Sequence, residues 1–342
     1  MPKVFKIMAR AYYLFNPGRM SRRDNTLKFI PVNAEGVQGK PRFIPIEDVS
    51  ALYIFGSLDT NSALYNFLGR KHIPVHFFDY HKHYTGTFSP REHLLAGKMV
   101  IEQTKAYLKP KRRLHIASRL IEGATFNMLK TLRYYGNRGK DVSAAVGGIN
   151  FLRAEIEGVK DVPQLMGIEG NCRRQYYEAF DEIIDHFEWD GRKKKPPRGE
   201  INALVSFGNS MCYALCVDAI YNSQLNPTIS YLHEPGTRRY SLALDVAEIF
   251  KPILVDRLIL RLCNKREIRD EHFDNLDEAS FLSDAGRKIF LRAWEERLDQ
   301  TIEHRNLHRR VSYRRLVRLE CYKIAKHILG MEKEYQPFKI WW

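Results

Sequence analysis

Glu169, His233, Asp245 and Glu248 sit where a lone charge is costly. Glu169 lies between Gly167 and Gly170, His233 ends the segment Tyr231-Leu232, and Asp245 and Glu248 lie among Leu242, Leu244, Val246, Ile249 and Phe250. Asp245 and Glu248 are three apart in a helical pattern, about one turn from each other on one face. Two carboxylates so placed repel each other and lose solvation, which a bound cation, an arginine or a buried water could compensate. Arg238 and Arg239, close in sequence, offer a structural ion pair. A divalent ion offers a second answer. Mg2+ or Mn2+ takes carboxylate oxygens, and Mn2+ also accepts imidazole. Two carboxylates and one imidazole leave positions open for water and phosphate oxygens, the arrangement that polarises a phosphodiester. Each residue also has an ordinary reading: Glu169 starts a helix and faces its dipole, and His233 is a satisfied core or surface histidine. No glycine-rich phosphate loop ending in Gly-Lys-Ser/Thr occurs, so ATP hydrolysis is not indicated, and nothing marks a covalent protein nucleophile.

The chain of 342 residues carries 55 Lys and Arg against 40 Asp and Glu, a formal net charge of +15. That excess argues for a polyanionic partner, nucleic acid first and an anionic membrane surface as the rival. Three basic runs stand out. Residues 104–119 carry Lys105, Lys109, Lys111, Arg112, Arg113 and Arg119. A Gly/Pro-rich loop over 189–200 carries Arg192, Lys193, Lys194, Lys195 and Arg198, and residues 305–326 add Arg305, Arg309, Arg310, Arg314, Arg315, Arg318, Lys323 and Lys326. Together they read as a phosphate-tracking surface. No uninterrupted run of about 18 apolar residues occurs, so no membrane-spanning helix is expected. Lys3, Lys6 and Arg10 precede no apolar segment, so no secretory signal is expected. The five cysteines form no C-x-x-C pair; Cys212 and Cys216, one helical turn apart, read as core residues, and the reducing cytoplasm is the expected compartment.

These residues need a scaffold, and the pattern gives one in two parts, an α+β organisation. Residues 1–90 read as a small β-rich domain. Its expected strands are 11–15, 26–32, 43–45, 49–55, 75–80 and 84–88, with a turn at Asn16-Pro17-Gly18 and one helix capped by Asn61 or Ser62. Residues 91–342 read as a larger all-α catalytic domain. Its expected helices are 92–109, 111–135, 143–155, 170–187, 200–223, 242–263, 278–301 and 312–329, punctuated by Gly136, Pro163, Pro196-Pro197 and Pro227.

An ordered set of motifs resembles one family. The set is Gly167-Ile168-Glu169-Gly170, Ile201 through Gly208 after the basic loop, Leu232-His233 after Asn226-Pro227, and Asp245 through Pro252. Val311-Ser312-Tyr313-Arg314-Arg315-Leu316 and Tyr335-Gln336-Pro337-Phe338 continue it; Asp24-Asn25-Thr26-Leu27, Pro45 through Val49 and Phe55-Gly56 fit its β domain. The chain resembles the CRISPR-associated endonuclease and integrase Cas-one, the enzyme of spacer acquisition, over nearly its whole length. The resemblance implies an N-terminal β domain serving dimerisation, a helical catalytic domain, a homodimer and a complex with the small partner Cas-two. It implies metal ligands at Glu169, His233 and Glu248. The family often has aspartate at that last position, which leaves Asp245 as either a direct ligand or a helper. Tyr213 falls where some members have a tyrosine near the active centre, and Asn202 lies in a motif close to it. Candidate DNA contacts are Arg173, Lys193, Lys194, Lys195, Tyr213, Arg238 and Arg239.

The implied reaction is attack by the 3′-hydroxyl of a captured double-stranded DNA fragment on a phosphodiester at the CRISPR repeat border, with Mg2+ or Mn2+ at the acids and no membrane involved. Two other readings stand beside it. A non-catalytic DNA-binding scaffold needs only the charge. A general metal-dependent nuclease acting on DNA or RNA needs neither a repeat nor a partner.

Overall fold

Asn16-Pro17-Gly18 turns the chain so that two sheets form from the first ninety residues. In the computed structural model, residues 10–33, 35–79, 83–90, 96–189, 191–193, 196–236, 240–276, 279–304 and 307–341 are described. The chain divides into two compact units, Met1–His93 and Leu94–Trp342.

The first unit contains β1 (Arg10–Leu14), β2 (Gly18–Arg23), β3 (Thr26–Pro31), β4 (Arg42–Pro45), β5 (Val49–Ile54), β6 (Leu58–Asp59), α1 (Ser62–Arg70), β7 (Val75–Phe78) and β8 (Tyr84–Phe88). One sheet has the order β1-β5-β7-β8, parallel through β7 with β8 antiparallel; the other has the order β4-β3-β2-β6. The aromatic and β-branched runs expected as strands are strands. β2 escaped notice because its sequence, Gly-Arg-Met-Ser-Arg-Arg, is too polar to read as one; it is held by pairing with β3 along its length. Gly18 is required there, since a Cβ would lie 2.6 Å from both the Phe29 ring and the Ile30 carbonyl oxygen. Asn61 caps α1, accepting from the Leu64 N–H at 3.1 Å. Met20, Leu27, Leu52, Leu64 and Leu68 form the core of this unit.

The second unit is mostly helical: α2 (Gly97–Leu108), α3 (Pro110–Gly136), α4 (Ser143–Ala154), α5 (Val162–Glu178), α6 (Phe180–Ile183), α7 (Glu200–Tyr221), α8 (Ser241–Lys251), α9 (Arg257–Asn264), α10 (Asp284–Asp299) and α11 (Tyr313–Ile328). Three expectations change. First, α5 begins at Val162 and not near residue 170. Asp161 caps it by accepting from the Gln164 N–H at 2.8 Å, and Pro163 opens the helix instead of interrupting it. Glu169 is therefore mid-helix, which removes its reading as a first-turn acid. Second, 242–263 is not one helix. Pro252 has no N–H to continue the ladder, and Pro252–Asp256 is a π-helical turn between α8 and α9. Third, the helical unit contains two ribbons, β9 (Phe273–Leu276) with β10 (Ala279–Leu282) and β11 (Thr301–His304) with β12 (Arg309–Ser312). The four-residue strands are too short to leave a period in the sequence.

α7 is long and apolar enough to cross a membrane, although charged and polar residues interrupt its apolar run. It is a core helix here: residues such as Leu204, Met211, Leu215 and Ile220 are buried, and it packs against α8 and α11. The five cysteines are free and buried.

Candidate active site

Two helices and one loop build the site. On α5, Leu165, Ile168, Cys172 and Tyr176 form the buried stripe, and Glu169 and Arg173 lie on its flank, one turn apart. A Cβ on Gly167 or Gly170 would meet nothing within 4 Å, so this flank is left open. α8 is buried almost all round between α3 and α7, which takes Asp245 and Glu248 out of water together. The third part is the segment Ser230–Glu234. It is tied on one side by Arg113, whose Nε donates to the Tyr231 carbonyl at 2.9 Å, and by Tyr107 and Arg113, which both donate to Glu234.

Asp245 ties the segment's other side. Its side chain is 0% exposed, and its Oδ2 accepts from the N–H groups of Tyr231 and Leu232 at 2.7 and 3.0 Å. Its Oδ1 accepts from the His233 N–H at 3.0 Å and pairs with His233 Nδ1 at 2.8 Å. Both oxygens are thus engaged within the protein. Burial alone would lower the pKa of His233, but the hydrogen bond and charge of Asp245, with Glu248 behind, raise it above its ordinary value.

Glu248 lies between two cations. Arg173 Nη2 donates to its Oε2, and Lys251 Nζ lies 2.5 Å from its Oε1. Burial would raise the Glu248 pKa; Lys251 and Arg173 outweigh it and bring the carboxyl down to about 2. Arg173 Nε also reaches Glu169 Oε1 at 3.3 Å, so one guanidinium bridges both glutamates, and its Nη1 finds no partner among the described residues. Burial works against the charge on Arg173, but the two glutamates raise its pKa well above the ordinary arginine value.

A cavity of about 700 Å³ opens over these groups, lined by Glu169, Arg173, His233, Glu248 and Lys251 together with Arg174, Tyr177, Trp189, Arg192 and Asn209. Asn202 does not line it but anchors its rim. Its Oδ1 accepts from Arg192 and the Lys193 N–H, and its Nδ2 donates to the carbonyls of Gly191 and Arg198 at 2.9 and 2.8 Å. Tyr213 is not among the lining residues; its hydroxyl accepts from the Tyr240 N–H at 3.0 Å. Lys194, Lys195, Arg238 and Arg239 lie outside the described residues. Among the described residues, no group of three His, Cys, Asp and Glu side chains is arranged to hold a metal ion. The donor chemistry of Glu169, Glu248 and His233 nonetheless suits a hard divalent ion, because a carboxylate on Nδ1 is the usual support of a histidine that coordinates through Nε2.

The structure adds two residues that had no assigned role, Lys251 and Asp256, and places Arg173, a candidate DNA contact, among the acids. Lys251 follows Glu248 by three and completes its ion pairing; that spacing was a usable signal. Arg173 follows Glu169 by four and is engaged with the acids rather than standing on an open surface. Asp256 was hidden by the assumption of a continuous helix. It is 0% exposed within the π-helical turn, 3.5 Å from the Tyr177 hydroxyl, and burial raises its pKa to about 7. The basic runs divide differently than expected: Arg112 donates to the Ile328 carbonyl, Arg119 pairs with Glu122 and Glu334, and Arg314 pairs with Glu295.

Residues 12–296 match the family model described as CRISPR associated protein Cas1. The CRISPR-associated endonuclease Cas1 of Fusobacterium nucleatum subsp. nucleatum is 43% identical over 336 residues, 98% of each chain. The CRISPR-associated endonuclease Cas1 2 of Moorella thermoacetica is 44% identical over 97% of this chain and 100% of its own. A solved Cas1 protein from Thermotoga maritima superposes with a TM-score of 0.84 at 36% identity, covering 95% of this chain and 98% of that one. The fold is shared with a casposase bound to integration product, at a TM-score of 0.87 and 17% identity over 97% and 94% of the two chains. By the family model and by full-length relatives above 40% identity, this chain belongs to the Cas1 family of CRISPR-associated proteins.

Proposed function

We propose that this chain is a metal-dependent DNA endonuclease and integrase that inserts DNA fragments as spacers into a CRISPR array. The observation that carries the reading is the convergence of Glu169, His233 and Glu248 on one cavity walled by Arg173, Lys251, Arg174 and Arg192. Those three residues would hold Mg2+ or Mn2+, which when bound polarises the scissile phosphate and stabilises the attacking and leaving oxygens.

The protein's own groups do the rest. Asp245 fixes the ring and tautomer of His233 through Nδ1. Arg173 and Lys251 keep Glu248 ionised and supply positive charge to the phosphate that enters. Asn202 fixes the backbone of the basic rim, so that Arg192 and Lys193 face the nucleic acid from a set position. In the transfer, the fragment's 3′-oxygen bonds to phosphorus and gives its proton to solvent, while the bond to the target strand's leaving oxygen breaks and that oxygen takes up a proton from solvent as a new 3′-hydroxyl. Water in place of the 3′-hydroxyl gives hydrolysis at the same site. The relatives' names and the fold shared with an integration-product complex support this reaction over simple binding. A homodimer formed through the β-rich unit, and assembly with the partner Cas2, belong to the same proposal; a Cas6-RT-Cas1–Cas2 complex contains a chain of this fold.

The test is strand transfer of a short duplex with free 3′-hydroxyl ends into a supercoiled plasmid carrying a CRISPR repeat, with Mn2+ and Cas2. Joining at the repeat that EDTA and Glu169→Ala both abolish is the expected result. Joining at the parental rate by folded Glu169→Ala would overturn the assignment. Cutting without joining would identify a general nuclease.

A further inference from the structure

A second cavity, of about 440 Å³, lies where α3, α9 and α10 end, and it contains none of the residues discussed above. Six cations line it: Arg138, Lys140, Arg257, Arg261, Lys265 and Arg297. None of its described lining residues is acidic. None of these cations belongs to the three basic runs that the sequence displays; the fold alone gathers them.

Ordinary compensation accounts for part of this charge. Lys140 pairs with Asp185, and Arg261 lies 3.6 Å from Glu267. Three helix C-termini each contribute roughly half a negative charge. Arg297 uses its guanidinium on the Ile253 carbonyl, at 3.2 and 3.0 Å, within the π-helical turn. Leaving Arg257 aside, five cations against the two acids paired with them among the described residues and three helix ends still leave an excess of about one to two positive charges around one cavity. Burial lowers the pKa of Arg297, and Arg257 and Arg261 push it the same way, as like charges crowded together do. The cluster is also rigid. The Tyr134 ring carries Arg138 at 3.7 Å and Arg257 at 4.1 Å from its centre, which sets the position of two guanidiniums before any ligand arrives.

We propose that this cavity is a second anion site that binds consecutive phosphate groups. Guanidinium forks match phosphate oxygens in pairs, and a cavity of this size holds two or three phosphates. The source is either the backbone of a nucleic-acid strand or a free polyphosphate such as a nucleotide tail. This site is separate from the acid cluster and does not depend on it.

Sodium tripolyphosphate is the first probe, titrated by calorimetry against the parental protein, Arg261→Gln/Lys265→Gln and Glu169→Ala. The parental protein and Glu169→Ala should bind it alike, and the double variant should lose at least tenfold in affinity. Arg138→Gln, altered at an exposed residue, provides a second reading should the double variant fold poorly, and it should weaken binding in the same direction. Labelled duplex DNA, measured by polarisation across a salt series, separates the sources. A strand in the cavity makes the double variant's log K against log salt slope shallower by about one to two. Unchanged DNA binding with weakened tripolyphosphate binding identifies the free anion. Variants that bind tripolyphosphate and DNA as the parent does would overturn the site.

Discussion

Asp245→Asn tests the central geometric argument, that this carboxylate positions His233 rather than acting on substrate. The carboxylate takes four donors, two on each oxygen: the N–H groups of Tyr231 and Leu232 on one, and the N–H and Nδ1 of His233 on the other. An asparagine keeps one accepting oxygen and turns an NH2 group toward the remaining two donors. Two buried donors lose their acceptor, at about 1–3 kcal/mol each, for a total of about 2–6 kcal/mol. A unit as large as Leu94–Trp342 shifts its melting point by roughly 2–4 °C per kcal/mol, so a fall of about 4–24 °C is expected by calorimetry. The same change frees the imidazole, and loss of such a supporting partner weakens metal affinity by roughly 10–100-fold. Strand transfer titrated with Mn2+ should therefore show a right-shifted half-point and recovery at high Mn2+. An unchanged melting point together with an unchanged Mn2+ half-point would refute the positioning role. A folded variant that no Mn2+ concentration rescues would refute it too, and would make Asp245 a direct participant.

The buried Asp256 sets a pH dependence. Its folded pKa of about 7 lies above the ordinary 3.8, so folded protein keeps a proton that unfolded chain releases. Stability should fall as pH rises from about 4 to about 7 and then level, by up to about 4 kcal/mol, and urea titrations of Asp256→Asn should lose that slope. His233 acts in a higher window: its raised pKa stabilises the fold fully below 6.5, and that part disappears as pH rises through its folded value, a change that Asp245→Asn should erase. Two glycine replacements should differ. A Cβ on Gly56 would lie 2.4 Å from the Phe15 carbonyl oxygen, which is backbone that cannot yield, so Gly56→Ala should destabilise by about 1–3 kcal/mol. A Cβ on Gly148 would meet only the end of the Gln175 side chain, which can turn away, so Gly148→Ala should leave the melting point nearly unchanged.

What the sequence shows and what it hides follow from the range of the forces involved. The short, nearly continuous apolar run of 49–55 and the 3.6-residue stripe of 111–135 are local, so those elements could be read directly. The acids could be singled out because a charge among Leu244, Val246 and Ile249 is visibly out of place. Their partners were harder to read. Arg173 and Glu248 are 75 residues apart, and nothing local indicates that the arginine on α5 reaches the glutamate on α8. The π-helical turn depends on a single missing N–H at Pro252, which hydrophobic spacing does not record. The cavity at the ends of α3, α9 and α10 was invisible for the same reason, since its cations come from three separate segments, each with an unremarkable local charge.

Glu169, Asp245 and Glu248 face Arg173, Lys251 and a histidine with a raised pKa, so the candidate site is close to neutral before any ion enters. That balance lets the acids fold into a buried setting, which unpaired they would resist by several kcal/mol. It also means that a divalent ion on the proposed ligands competes with Arg173, whose guanidinium bridges Glu169 and Glu248. A displaced Arg173 needs a new anion, and the nearest one the proposed reaction supplies is a phosphate in the cavity that Arg173 lines. Metal and DNA should then bind with positive coupling: each removes the partner that would otherwise leave Arg173 or the two glutamates uncompensated. Arg173→Gln separates these contributions. It should tighten Mn2+ binding in the absence of DNA and abolish the further tightening that duplex brings. If calorimetry shows Mn2+ affinity in the variant unchanged without DNA and still enhanced by it, Arg173 is not the counter-ion that the two ligands exchange.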